Sequence, residues 1–107
     1  MADVRFVTQT LDFGPHRGGS QEGKLRFQTG RTVLRAEAAL KGIYAEFPNG
    51  EHAVHLIFHR IKDVRIVDDL DREAVDVTVE YGFRDNSGDW DDEYVGKVDV
   101  LLIYTTP

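Results

Sequence analysis

The segment from Asp85 to Tyr94, DNSGDWDDEY, brings carboxylates and aromatic rings together within ten residues. Carboxylates accept paired hydrogen bonds from sugar hydroxyls, and the faces of Trp90 and Tyr94 can stack on the apolar C–H face of a pyranose ring. The alternative interpretation is a solvated acidic hairpin whose Trp90 folds back over the core. The residue types therefore predict either a saccharide-binding loop, with acidic contacts such as Asp85, or a purely structural turn.

The same segment also has the alternating oxygen ligands of a calcium loop. Asp85, Ser87 and Asp89 stand at the first, third and fifth positions of such a loop. The sixth position is Trp90 where the EF-hand needs glycine, and the twelfth is Gly96 where it needs a bidentate glutamate. The EF-hand is therefore excluded. A looser Ca²⁺ site stays open, but neither a metal ion nor a cofactor is predicted.

Three histidines, His52, His55 and His59, suggest a metal site at first sight. The apolar alternation around them predicts a strand, on which His55 and His59 share a face about 13 Å apart and His52 points the other way. One strand cannot bring them to a single ion. In a threefold oligomer equivalent histidines could meet around the axis, and polar packing at an interface is the simpler interpretation.

Catalytic patterns are missing from the sequence, so we predict that the protein is not an enzyme. Ser20 and Ser87 stand in glycine-containing loops without the G-x-S-x-G context of a nucleophile elbow. Asp91 and Asp92 are sequence neighbours whose side chains diverge on a strand, unlike the opposed carboxylates of a glycosidase. The loop 14–23 lacks the Lys-Ser/Thr pair of a phosphate-binding loop.

Composition limits the remaining classes of protein. The 107 residues fit one domain, 1–107, and the 41% of hydrophobic residues suffice for a packed core. The chain has no cysteine, and its net charge of −6 argues against nucleic acid and anionic lipid as partners. Residues 63–99 have a net charge of −9, and the rest of the chain has a net charge of +3. With neither a signal peptide nor a membrane-spanning run, the expectation is a cytoplasmic protein or one released without a classical signal.

The elements that position these residues are predicted to be strands. From Val75 to Phe83 every odd residue is apolar, which is the period of a half-buried strand. Val98 to Tyr104 is nearly continuously apolar, with Asp99 as its one charged residue, as in a central strand buried on both faces. Shorter strands are predicted at the following places: Val4 to Gln9, Lys24 to Phe27, Val54 to His59, and Val64 to Ile66.

The boundaries between these strands are marked by turn residues. They are the Gly-rich loop 14–20, the turns Pro48-Asn49-Gly50-Glu51 and Asn86-Ser87-Gly88-Asp89, and the acidic turn 68–71. Propensity alone predicts a helix for the segment from Thr32 to Tyr44, but the segment lies between strands, where sheet context can override propensity, so its assignment stays open. Six to seven short strands predict an all-β fold, an antiparallel β-sandwich or barrel.

Residues 23–104 resemble the H-type lectin domain. The resemblance lies in the order of elements: Lys24-Leu25-Arg26-Phe27, then Val33 to Ile43, a His-containing strand, a long alternating strand, the loop with Trp90 and Tyr94, Gly96, and an aliphatic closing strand. It implies a six-stranded antiparallel β-sandwich, with Thr32 to Tyr44 as a strand and residues 1–22 as an additional N-terminal strand and loop.

The resemblance also implies a function. H-type lectins form trimers or pairs of trimers and bind galactose-type sugars at subunit interfaces, and by position Trp90, Asp92 and Tyr94 correspond to residues near the sugar. The closing strand, Leu101-Leu102-Ile103-Tyr104, lacks the family's usual tryptophan. The expected function is thus a carbohydrate-binding homo-oligomer. The alternative is a structural assembly domain of a larger particle that binds no sugar.

Overall fold

Six β-strands form the protein in the computed structural model, which describes residues 3–47, 54–69, 72–85 and 93–107. The strands are β1 (Asp3–His16), β2 (Gln21–Gln28), β3 (Arg35–Glu46), β4 (Val54–Asp69), β5 (Arg72–Asp85) and β6 (Tyr94–Thr106). The predicted all-β antiparallel sandwich is confirmed, and so is the strand expected within Thr32 to Tyr44 from the lectin resemblance. Within the described ranges there is no helix that could span a membrane.

The strands form two antiparallel three-stranded sheets. Sheet A has the order β1-β6-β3 and sheet B the order β2-β5-β4, so β6 and β5 are the two central strands. Both central strands are rich in β-branched residues, which suit a pleated, buried surface. β3 of sheet A packs against β4 of sheet B, and β1 packs against β2. Two edge strands, one from each sheet, therefore lie together on each side of the sandwich.

The core lies between the two central strands. Every odd residue of β5 from Val75 to Phe83 is buried, as the alternation predicts, and faces the buried even residues of β6. The largest fully buried side chains are Tyr81, Tyr94, Phe27, Leu102, Val75, Val77, Val79, Val98 and Val100. Two tyrosines, Tyr81 and Tyr94, thus lie at one end of the core, the end from which the chain leaves β5 and enters β6.

Strand β4 corrects the sequence prediction. Two short strands separated near Ile61 to Asp63 were expected, but β4 is continuous, and its pairing with β5 shifts register between Ile61 and Asp63. A one-residue bulge reverses the alternation without ending the strand. The expected turn at 68–71 is also displaced, because Asp68 and Asp69 still pair with β5, while 70–71 lie outside the described residues.

Two more expectations are revised by the structure. β6 is central, but only one of its faces is fully buried: Leu101 and Ile103 on the other face are half-buried, and Lys97 is exposed. β1 continues through Gly14 to His16, so the connection to β2 is short, and Gly18 and Gly19 adopt positive φ there. The predicted turns at 48–51 and 86–89 lie outside the described residues.

The outer face of sheet B is covered by paired charges. At its centre Arg26 on β2 donates two hydrogen bonds to Asp76 on β5, Nε to Oδ1 at 2.7 Å and Nη2 to Oδ2 at 2.8 Å. Arg60 pairs with Glu80, and Lys62 pairs with Glu22. Asp76 is 8% exposed, and its hydrogen bonds with Arg26 hold the pKa of its carboxyl below the ordinary value.

We expect Asp76→Asn to cost about 1–2 kcal/mol of unfolding free energy near pH 6 and clearly less near pH 3. A carboxyl whose pKa is lower in the folded state stabilises the protein above its unfolded pKa. That stabilisation is lost as the pH falls through the unfolded and then the folded pKa. Urea unfolding at both pH values tests this. Asp63→Asn, at an exposed ion pair with Arg65, is the control and should cost under about 0.5 kcal/mol throughout. An equal cost of Asp76→Asn at pH 3 and pH 6 would contradict the prediction.

Candidate functional site

The acidic and aromatic loop predicted from the sequence connects the two sheets at one end of the sandwich. Asp85 is the last residue of β5 in sheet B, and Tyr94 is the first residue of β6 in sheet A. Trp90 and Asp92 lie outside the described residues, and so does the side chain of Asp85. Their proposed contacts with a sugar therefore stay predictions. The described part of this region consists of Tyr94 and the surfaces around it.

Tyr94 is a core residue. Its side chain is 0% exposed, its ring meets that of Tyr81 edge-on at 5.1 Å between centroids, and its hydroxyl donates to the carbonyl of Gly19 at 2.5 Å. Burial raises the pKa of Tyr94 to about 12, so the phenol stays protonated. In the single chain, Tyr94 thus fastens the base of the loop to the core and has no ring face free for a sugar.

An aromatic side chain that is exposed lies beside this end of the sandwich. Tyr44 on β3 is 47% exposed on the outer face of sheet A, opposite Lys97 of β6. The Lys97 ammonium is 5.7 Å from the centroid of the Tyr44 ring, and the Tyr44 hydroxyl donates to the Glu46 carboxylate. That hydrogen bond raises the pKa of Tyr44 above its ordinary value. An aromatic face flanked by a carboxylate and an ammonium is therefore presented to solvent.

Asp99 completes this group, which we call the Tyr44 cluster: Tyr44, Glu46, Lys97 and Asp99. The Asp99 carboxylate accepts a hydrogen bond from Thr10 Oγ1 at 2.6 Å, which fixes its orientation. Gly42, Ile43, Tyr44, Lys97 and Asp99 line a depression of about 130 Å³. Any larger residue at position 42 would crowd it, because a Cβ there would lie 3.0 Å from Asp99 Oδ2.

The cluster is close to the base of the predicted loop. Glu46 pairs with Val95, and Tyr44 pairs with Lys97, so the cluster lies about 10 Å along β6 from Tyr94. The sequence alone does not place this cluster, because the register of β3 shifts between Leu40 and Gly42. The chemistry itself was readable, since Tyr44 and Glu46 are two residues apart and so share a face of any regular strand.

Comparison with known proteins finds no relative of this chain. No protein-family model, no curated protein and no solved structure matches the chain. The geometry and the residue chemistry therefore carry the functional argument.

The histidines are dispersed among the described residues. His59 stacks on Tyr81 with 4.4 Å between ring centroids, and His16 meets Tyr94 edge-on at 5.8 Å. His52 and the side chain of His55 lie outside the described part, and the pairing of β4 is irregular between Val54 and Leu56, so the faces counted from the sequence do not carry through His55. In the described part of the chain, no three His, Asp or Glu side chains are grouped as a metal site.

Proposed function

We propose that the protein is a carbohydrate-binding, lectin-like module that acts as a homo-oligomer and catalyses no reaction. The observation that carries the proposal is the Tyr44 cluster, an exposed aromatic ring with polar groups of both charges at the end of the sandwich where the loop 85–94 begins and ends. A pyranose stacks its apolar face on an aromatic ring while its hydroxyls donate to carboxylates and accept from cations. Trp90, Asp92 and Asp85 of the loop would contribute the remaining contacts.

The resemblance to H-type lectins supports a galactose-type sugar. It also supports a homotrimer or hexamer in which the site lies beside a neighbouring subunit. In galactose-type sugars the axial hydroxyl leaves one pyranose face more apolar than the other, which suits stacking on Trp90 or Tyr44. The carboxylates of Glu46 and Asp99 in the Tyr44 cluster fit a neutral ligand rich in hydroxyl groups, because such a ligand is not repelled by carboxylates.

An apolar area on the outer face of sheet A supports the oligomer. Phe6 is 66% exposed and pairs with Ile103, while Val4, 57% exposed, is next on the same face. Leu101, also on this face, is half-buried. Contiguous apolar side chains on a sheet surface are typical of protein interfaces. We therefore propose that this area, defined by Val4, Phe6, Leu101 and Ile103, contacts a second copy of the chain.

We expect wild-type protein to bind galactose-terminated glycans on an array and Trp90→Ala to bind them at least about fivefold more weakly, since one aromatic stacking contact is lost. Tyr44→Ala should weaken binding by a similar factor. Asp92→Asn tests the carboxylate, and Asp63→Asn, on the outer face of sheet B, is its control and should bind as wild type does. Absence of binding to any glycan by the folded wild type would refute the proposal.

The exposed apolar area equally favours the second candidate, an assembly domain that oligomerises without binding sugar. Light scattering, which measures the oligomeric state, on the samples used for the glycan array distinguishes a lectin from an assembly domain. A stable oligomer that dissociates on Phe6→Ser, with no glycan signal, indicates assembly alone. The same oligomer with glycan binding that depends on Trp90 indicates a lectin. A wild-type monomer at micromolar concentration would count against the oligomer in both.

A further inference from the structure

A groove of about 600 Å³ runs along the side of the sandwich where the edge strands β3 and β4 lie together. Among the described residues its lining includes Leu40, Lys41 and Ile43 from β3 and Ile57, Phe58 and His59 from β4. We call it the His59 groove. Its volume is within the range of small-molecule sites, and its walls are mainly apolar with a few polar groups, as such sites are.

Irregular pairing opens this groove. The register of β3 against β6 shifts between Leu40 and Gly42, which makes Lys41 the extra residue of a bulge. Beyond the bulge Ile43 is 59% exposed, and on the facing strand Ile57 is 44% exposed. Two large aliphatic side chains therefore face water across the groove, and an apolar ligand would remove that surface from solvent.

His59 supplies a polar atom that lacks a partner. Its ring stacks on Tyr81 with an interplanar angle of 16°, and its Nε2 is buried with no hydrogen-bond partner in the described part of the protein. An unpaired buried nitrogen destabilises the fold, so a group in the groove that accepts a hydrogen bond from Nε2 would remove this cost. Burial lowers the pKa of His59, so the ring is neutral at pH 7 and can donate one hydrogen bond from Nε2.

The charge of the groove indicates the other end of the ligand. Although the net charge of the chain is −6, the described residues that line the groove include the cation Lys41 and no carboxylate. A neutral imidazole donor and an ammonium in the same apolar groove both suit an anionic oxygen. A carbohydrate is a poor fit here, because the walls offer aliphatic surface and few acceptors for hydroxyl groups.

We propose that the His59 groove binds a small amphiphilic carboxylate, whose hydrocarbon body lies against Ile43 and Ile57 and whose carboxylate is held by Lys41 and His59. Gly42 and Ile43 border both this groove and the depression at the Tyr44 cluster, but the polar groups of the groove, Lys41 and His59, are not part of that cluster. Substitutions at Lys41 and His59 therefore test this proposal separately from sugar binding.

The test uses octanoate, with octan-1-ol as a neutral ligand of the same chain length. In NMR titrations of the full chain, octanoate should shift backbone amides within 40–43 and 57–59. Octan-1-ol should bind at least about threefold more weakly, because it lacks the charge that pairs with Lys41. Lys41→Gln should weaken octanoate binding about two- to fivefold and leave octan-1-ol binding unchanged. Lys24→Gln, on the outer face of sheet B, is the control and should bind octanoate as wild type does.

His59→Phe keeps the stacked ring and removes the donor, so octanoate binding should fall about two- to tenfold while octan-1-ol binding stays within twofold. Equal affinity for octanoate and octan-1-ol, or amide shifts outside the groove, would overturn the proposal. So would shifts at 40–43 and 57–59 that follow protein concentration alone, since a second copy of the chain would then occupy the groove. If His59→Phe fails to fold, the proposal is still tested by the effect of Lys41→Gln and by the comparison of octanoate with octan-1-ol.

Discussion

Tyr81→Ala is expected to lower the free energy of unfolding by about 4 kcal/mol, the cost of removing a large aromatic side chain from a core. Tyr81 is 0% exposed, and its ring meets Phe13 and Tyr94, each at 5.1 Å between centroids, and His59 at 4.4 Å. It is the residue through which the aromatic side chains at this end of the sandwich are packed. Alanine would leave a cavity that three rigid rings cannot fill by small movements.

The hydroxyl of Tyr81 adds a second link between the sheets. It donates to the carbonyl of Val95 at 2.7 Å, from β5 in sheet B to β6 in sheet A. Tyr81→Phe keeps the ring and loses only this bond, so it should cost about 1 kcal/mol. Urea unfolding followed by circular dichroism measures both variants. A cost below about 1.5 kcal/mol for Tyr81→Ala would mean that the ring does not support the core as described.

The fold was predictable where one periodicity runs without interruption. β5 alternates over nine residues from Val75 to Phe83, and each apolar residue of that run is buried. β5 is the central strand of sheet B, and β6 is the central strand of sheet A. Their apolar sequences indicate these positions, because a central strand is covered by a neighbour on each side. Propensity alone failed for β3, whose Ala-rich sequence favours a helix, because the ladder with β6 outweighs intrinsic preference.

Bulges account for the elements that were predicted less well. The irregularity between Ile61 and Asp63 reverses the alternation of β4, so one strand has the sequence pattern of two. A bulge depends on pairing with a neighbour distant in sequence, and no local periodicity reports that pairing. In β1, burial does not follow hydropathy, for a different reason. Phe6 is apolar but exposed in the single chain. Hydropathy does not distinguish a side chain that is buried in the core of its own chain from one that is buried against a second chain.

The candidate site was predictable in its chemistry and less so in its placement. Two aromatic residues of the region, Tyr44 and Tyr94, have the same side chain and opposite environments, one 47% exposed and the other 0%. Tyr94 is buried because it begins β6 in phase with Val98 and Val100. That phase is partly readable from the sequence, since Val98 and Val100 alternate with the charged residues Lys97 and Asp99, although position 95 is Val. Counting it would have placed Tyr94 in the core and left Trp90 as the aromatic residue of the loop.

Gly96→Ala is expected to cost about 2–3 kcal/mol, the penalty for forcing an extra group into a filled core. A Cβ at position 96 would lie 2.5 Å from the carbonyl oxygen of Tyr44 and 2.7 Å from two ring atoms of Tyr81. Gly96 lies within β6 and is not among the glycines with positive φ, so the requirement for glycine here is space. To make room, β3 would move away from β6 while the Tyr81 ring moved into Phe13 or His59.

Gly14→Ala is the matched control, because Gly14 also lies in a strand and a Cβ there would meet nothing within 4 Å. It should change stability by no more than about 0.5 kcal/mol. The double variant Tyr81→Ala/Gly96→Ala separates the two contacts. In the absence of the Tyr81 ring, Gly96→Ala should lower the free energy of unfolding by about 1 kcal/mol less than it does in the wild type. The remaining loss of stability would then come from the contact with the carbonyl oxygen of Tyr44. Strict additivity of the two substitutions would show that the ring does not set the limit on residue 96, and that the backbone of β3 alone does.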